Sequence, residues 1–193
     1  VADMANIPRK QAKNINLGLS YGMGKQKLTQ ELGLADEEAE KLFAQYHAKV
    51  PFIRGLQDQC ARVAIDRGYI RTLAGRRCRF DYWENKFDKS LPLPLEEAKE
   101  KYGNNIKRSY TYKALNRLIQ GSAADMTKLA MLGLWEEGIV PHLQVHDEVD
   151  ISIENSEQAQ KVSRIMENCV ELAVPLVVDI ELGRSWGETE ETT

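Results

Sequence analysis

Residues 143–153 read Leu-Gln-Val-His-Asp-Glu-Val-Asp-Ile-Ser-Ile, and this stretch decides the fold. Val140, Leu143 and Val145 form one apolar run, and Val149, Ile151 and Ile153 form a second that alternates with Asp150, Ser152 and Glu154. Alternation with period two is the mark of a strand with one buried face, and two such runs around a polar break predict an antiparallel hairpin. The break is His146-Asp147-Glu148, which places these residues at or beside the hairpin tip. Adjacent carboxylates at a tip repel each other. They make chemical sense when a hard divalent cation joins them, since Mg²⁺ prefers carboxylate and phosphate oxygens. Asp147 taken alone suits an ordinary polar turn as well.

Outward from the hairpin the period changes. A helical pattern fits Ile106 to Glu137, closed by Gly138, and another fits residues 155–172 with Val162, Ile165, Met166 and Cys169 inside. Leu176–Leu182 reads as a last strand. Helices dominate the first two thirds. One opens at Pro8 and stops at Gly22, a short one covers Lys25–Leu32, and one capped by Asp36 buries Ala39, Leu42, Phe43 and Tyr46. A fourth runs from Pro51 to Asp66 with Gly68 as its stop, and Tyr69–Leu73 and Arg77–Phe80 read as short strands around Ala74-Gly75. Residues 82–106 are charged, hold Pro92 and Pro94, and read as a surface insertion with a turn or two of helix at Leu95–Lys101. The expected class is α+β, helices on a small antiparallel sheet.

Bulk properties are those of a globular chain, 193 residues with a net charge of −3. That charge conceals a polarity. Five bases and no acid lie between Arg9 and Lys27, six arginines against Asp66 alone between Arg62 and Arg79, and fourteen acids against three bases from Glu136 onward. A basic front suits a polyanion, though clustering on solvated faces gives the same counts. No apolar run reaches the length of a membrane span, and the first residues lack a signal core. Cys60, Cys78 and Cys169 lack metal-ligand spacing and read as reduced thiols, which points to a cytoplasmic location.

Arg9, Lys13, Leu17 and Tyr21 recur every four residues, so they follow one face of the first helix with a drift of about 40° per step. Ala12, Ile15, Leu19 and Gly22 lie on another, apolar face. Two cations one turn apart can hold a polyphosphate, and an aromatic beyond them can stack on a base or sugar. An exposed basic helix with a buried tyrosine fits the same residues. Asn116 and Gln120 stand one helical turn apart before Gly121-Ser122-Ala123-Ala124. Amides can bond base edges, and small neighbours permit close approach.

Taken together, these stretches resemble the family A DNA polymerases, the group of bacterial DNA polymerase I and many phage replicases. RKQAKNINLGLSYGMG (9–24) resembles the fingers motif, LQVHDEVDISI (143–153) the palm motif with its HDE core, and ALNRLIQGSAADMTKLAM (114–131) the helix before it. GYIRTLAGRR (68–77) and ENCVELAVPLVVDIELGRSWGE (167–188) also match in order. The resemblance implies a helical fingers subdomain over 1–67 and a distal palm over 68–193. It implies that Arg9 and Lys13 bind the triphosphate of an incoming nucleotide, that Leu17 lies near its sugar and that Tyr21 lies by the nascent base pair. Asp147 would be a ligand of catalytic Mg²⁺, Glu148 an accessory acid, and His146 a contact to nucleotide or primer end. Asp147, Glu148 and Lys13 are the expected catalytic residues, and Asn116, Gln120 and Tyr112 the expected contacts to template–primer DNA.

Three departures accompany the resemblance. The other metal-ligand segment of such a palm, a DYSQIELR-like motif, is not among these residues, so an upstream palm and thumb is an expected partner. Position 17 is Leu where the family usually carries Phe or Tyr. Tyr112 stands where bacterial members commonly have Arg, and the 82–106 insertion is longer than theirs, which looks phage-like and would place the protein in a bacterial host cell. A non-catalytic nucleic-acid-binding module and a single-subunit RNA polymerase are the competing readings. Glu148 after His146-Asp147, and Gly-Ser-Ala-Ala-Asp at 121–125, favour DNA polymerase over the latter.

Overall fold

The computed structural model describes residues 9–191. The expected helix start at Pro8 lies outside them. The chain divides into two compact units, Val1–Ile119 and Gln120–Thr193. The division falls inside a helix rather than at residue 67, where a change of functional role is expected.

In the first unit, α1 (Arg9–Ser20), α2 (Lys25–Leu32) and α3 (Asp36–Lys49) enclose one core. Ile15, Leu19, Leu28, Leu42 and Tyr46 fill it. The helix ends follow local chemistry. Gly22 has φ +89°, a conformation that costs glycine little. The Met23 N–H returns to the Gly18 carbonyl at 2.8 Å and the Gly22 N–H to Leu19 at 3.2 Å, the paired bonds of a Schellman ending. Asp36 is the first residue of α3 rather than its cap. Ala35 holds the cap position, and its N–H donates to the Glu38 carboxylate at 3.3 Å. Ala39, Leu42 and Tyr46 are buried as expected, whereas Phe43 is only half-buried.

Leu28 is fully buried in this core. Truncating it removes transfer free energy and leaves a cavity, so Leu28→Ala is expected to lower the unfolding free energy by about 3 kcal/mol. Denaturant unfolding measures this, and a loss below about 1 kcal/mol would mean that the site collapses freely.

A second core in the same unit joins α4 (Pro51–Arg67) to the hairpin β1 (Tyr69–Arg71) and β2 (Arg77–Arg79). Cys60, Ala64, Ile70, Phe80, Ala114 and Leu115 fill it. The strands are shorter than their apolar pattern, because Thr72 and Gly75 turn the chain between them through a 2.9 Å bond.

Within residues 82–106 the expected helical turns form as α5 (Leu95–Tyr102), which buries Ala98, and strands that the sequence reading did not place join them: β3 (Tyr82–Asn85) pairs with β4 (Leu93–Pro94) on one side and with β5 (Ile106–Arg108) on the other. These strands are too short and charged to show a period. Side chains hold them instead. The Arg108 guanidinium lies 4.5 Å from the centre of the Trp83 ring and donates to the Phe80 and Ile65 carbonyls at 2.9 and 3.1 Å. The Ser109 hydroxyl donates to Glu84 at 2.9 Å.

The long helix is corrected with them. Residues 106–108 are drawn into the sheet by pairing with Trp83–Asn85, and Tyr110 takes φ +62°, which an α-helix cannot continue through. A 3₁₀ turn (Thr111–Lys113) follows, and α6 covers Ala114–Glu136. Its end matches expectation: Gly138 has φ +74° and Ile139 N–H donates to Leu134 at 2.9 Å.

In the second unit, β6 (Leu143–Val145) and β7 (Glu148–Asp150) form the predicted hairpin, and α7 (Ser156–Glu167) follows behind its cap, Asn155. Ala159 and Ser163 are its buried residues, while Val162, Ile165, Met166 and Cys169 are half-buried. Only the end of the expected last strand forms, as β8 (Glu181–Gly183) against β9 (Thr189–Glu191). Residues 176–180 carry no strand; the Val178 N–H donates to the Glu167 carboxylate at 3.2 Å rather than to a strand backbone. No helix of the described residues is long and apolar enough to cross a membrane. The class is α+β, as expected.

Candidate active site

On α1, Ala12, Ile15 and Leu19 are buried while Lys13 and Leu17 are exposed, so the predicted separation of faces holds over these positions. The backbone of Arg9 belongs to α1, but its side chain lies outside what the structure describes. Tyr21 is half-buried just past the helix end. That end is anchored. The side-chain amide of Gln57 on α4 donates to the Ser20 and Leu19 carbonyls at 2.9 and 3.3 Å, and the Tyr46 and Ser20 hydroxyls lie 2.9 Å apart. Orphan carbonyls that would otherwise need water are satisfied by neighbouring helices, so the row of Lys13 and Leu17 is carried on a fixed support.

In the second unit the register Val145↔Glu148 leaves His146 and Asp147 as the two loop residues of the hairpin. His146 has φ +56°, uncommon for a residue with a side chain. The turn therefore keeps a strained position for an imidazole where glycine would be easier. The Gln144 side chain braces it by donating to the His146 carbonyl. Asp147 is exposed, and its carboxylate has no protein partner among the described residues. Glu148 opens β7 and shares a face with Asp150. Burial first, then the Glu148 charge and hydrogen bond, push the Asp150 carboxyl above the usual range. The indole N–H of Trp186 donates to Glu148 Oε1 at 2.8 Å. Sequence reasoning gave no role to Asp150 or Trp186. Two-residue spacing from Glu148 could have signalled the first; nothing local signals the second.

Asn116 (half-buried) and Gln120 (exposed) both lie on α6, and Tyr112 is exposed in the 3₁₀ turn before it. The hairpin brings His146, Asp147 and Glu148 together, and α1 aligns Lys13 with Leu17. The two groups belong to different compact units. A surface cavity of about 560 Å³, lined by Phe43, His47, Pro51 and Arg54 among others, holds none of the predicted site residues. There, burial and the Arg54 charge hold His47 below its ordinary pKa.

The donor set at the hairpin tip consists of hard oxygens on an exposed loop, which suits Mg²⁺. No cluster of three or more potential ligands occurs among the described residues, so the tip fits as part of a site.

Comparison with known proteins identifies the family. The family profile described as DNA polymerase family A matches residues 1–188. A DNA-directed DNA polymerase of Pseudomonas phage M6 is 38% identical over 98% of this chain and 31% of the relative. Thermostable DNA polymerase I of Thermus aquaticus is 35% identical over 96% of this chain and 21% of the relative. Among solved structures, the POL domain of Pol1 from M. smegmatis, in complex with DNA primer-template and dNTP, superposes with a TM-score of 0.68 at 29% identity, covering 91% of this chain and 31% of that one. The chain thus spans less than a third of the length of these relatives.

Proposed function

Because this chain belongs to the family A DNA polymerases, we propose that it supplies the nucleotide-binding helix and one metal-ligating hairpin of a template-directed DNA polymerase. In this reading residues 1–67 are fingers and 68–193 are distal palm. The substrates are a deoxynucleoside triphosphate and a template–primer DNA, and the reaction joins the nucleotide to the primer 3′-hydroxyl. The observation that carries the proposal is Asp147, a carboxylate held on a two-residue loop with no protein partner among the described residues. An exposed turn costs little by itself, but a braced turn that keeps a left-handed His146 and an unpaired acid beside Glu148 is suited to a cation.

Asp147 would hold Mg²⁺ with Glu148 beside it. Magnesium, when bound, supplies positive charge against the negative charge that develops on the transferring phosphoryl group. Lys13, with Arg9 one turn before it, would hold the nucleotide's phosphates, since charge-assisted bonds to phosphate are the strong ones. Tyr21 would lie by the nascent base pair. Asn116, Gln120 and Tyr112 would contact the template–primer. His146 would contact the nucleotide or primer end.

A site of two metals needs more carboxylates than one hairpin offers. The 193 residues alone should therefore fail to extend a primer in Mg²⁺, and extension should appear when they are combined with a palm and thumb segment carrying the other acids. Extension by the 193 residues alone would overturn this account of the site.

Leu17, exposed one turn past Lys13, gives a further expectation. With phosphates on the cations, position 17 faces the sugar. Leu has no donor, so it cannot replace a missing 3′-hydroxyl as a tyrosine hydroxyl could. An unpaired polar atom costs roughly 1–3 kcal/mol, a selectivity of about tenfold to a hundredfold. Leu17→Tyr should lower discrimination against dideoxynucleotides by that factor, read as a ratio of incorporation efficiencies. An unchanged ratio would show that residue 17 does not face the sugar.

A further inference from the structure

Trp186 is a large aromatic that the fold leaves 60% exposed. Packing therefore does not account for its placement, yet its one polar atom is engaged: the indole N–H lies 2.8 Å from Glu148 Oε1, across 38 positions of sequence. The turn that carries it is built from its own contacts. β8 and β9 pair Gly183 with Thr189. The Ser185 hydroxyl donates to the Glu188 carboxylate at 3.2 Å, the Glu188 N–H to the Ser185 carbonyl at 3.0 Å, and the Thr189 hydroxyl to Glu181 at 2.8 Å.

Gly183 is required by closeness rather than by dihedral freedom. A Cβ there would meet the Glu188 carbonyl oxygen at 2.1 Å and the Thr189 Cα at 2.9 Å, backbone atoms that cannot swing aside. The 3₁₀ turn Trp186–Glu188 is thus clamped, and the indole is presented from a defined base.

The chemistry of the donor matters. Indole N–H is a donor only and carries no charge. A lysine in its place would neutralise Glu148, whereas an indole orients one carboxylate oxygen and leaves the negative charge in being. Glu148 follows Asp147 directly and faces Asp150 on the same side of the hairpin. Repulsion from the adjacent Asp147 carboxylate would otherwise favour rotamers of Glu148 that separate the two.

We infer that Trp186 is a positioning residue for Glu148, holding its carboxylate in one orientation beside Asp147 for nucleotidyl transfer. The inference rests on the proposed catalytic role of the hairpin and adds a residue from the C-terminal turn to it.

The test uses an active polymerase that contains this chain, with Trp186→Phe, Glu148→Ala, the double variant, Gly183→Ala and Asp147→Asn. Trp186→Phe keeps the ring and removes the N–H. It should lower the single-turnover rate by about tenfold, as loss of one bond to a charged group does. Nucleotide KM and primer-template Kd should stay within about twofold, because the effect runs through the acid and not through binding. In the Glu148→Ala background the same change should cost nothing further. Gly183→Ala keeps the indole but displaces its turn, so it should reproduce the rate loss and add nothing to Trp186→Phe. A wild-type rate in Trp186→Phe, a full loss persisting without Glu148, or a loss located in DNA affinity would each overturn the inference while an inactive Asp147→Asn leaves the hairpin catalytic. An active Asp147→Asn would remove the catalytic reading itself, and this inference with it.

Discussion

Asp147→Asn is expected to lower primer extension by about a thousandfold or more, on the order of 4 kcal/mol in the barrier, while affinity for primer-template DNA stays within about twofold. The substitution keeps the shape of the side chain, and Asn is as acceptable in a turn as Asp, so the hairpin between Val145 and Glu148 should persist. No protein bond is lost, since the Asp147 carboxylate has no partner among the described residues. What disappears is the charge, and a neutral amide oxygen is a weak substitute for a carboxylate toward a hard divalent ion. The measurement is single-turnover extension in Mg²⁺ alongside DNA binding by a method independent of catalysis. Near-normal turnover would reduce the tip to a polar turn. A matched fall in DNA affinity would instead assign Asp147 a structural role.

Much of the fold was legible because local signals decided it. Gly22, Gly68 and Gly138 mark helix ends and all three take positive φ. The Lys25–Leu32 helix and the hairpin tip follow from spacing alone. The failures share a cause. Residues 106–108 join a sheet because Trp83–Asn85 are there to pair with them, and residues 176–180 stay out of strand, the Val178 N–H going to the Glu167 carboxylate instead. In both cases residues outside the segment decide. The candidate site divides the same way. The exposed face that Lys13 and Leu17 share was readable from a period of four, and the turn position of Asp147 from its place between two apolar runs. The bond from Trp186 to Glu148 was not readable, because it depends on how a tight C-terminal turn meets a hairpin 38 residues earlier.

Lys13→Ala is expected to lower kcat/KM for the incoming nucleotide by about a hundredfold to a thousandfold, the range seen when one preorganised donor to developing charge is removed. Lys13 is exposed on α1 and one turn before Leu17. Alanine is the best helix former, so the substitution should not loosen the helix. The anchoring of its C-terminal end by Gln57 is also untouched. The loss should therefore be chemical rather than structural. It should also be partly restored by Lys13→Arg, which keeps a cation but changes its shape and reach. A competing role is separable in the same experiments. If Lys13 met the DNA backbone instead, primer-template affinity would weaken, and the slope of log K against log salt would fall by about one. A nucleotide-phosphate contact predicts an unchanged salt slope for DNA and a defect confined to nucleotide use. An unchanged kcat/KM in Lys13→Ala would remove α1 from the nucleotide site.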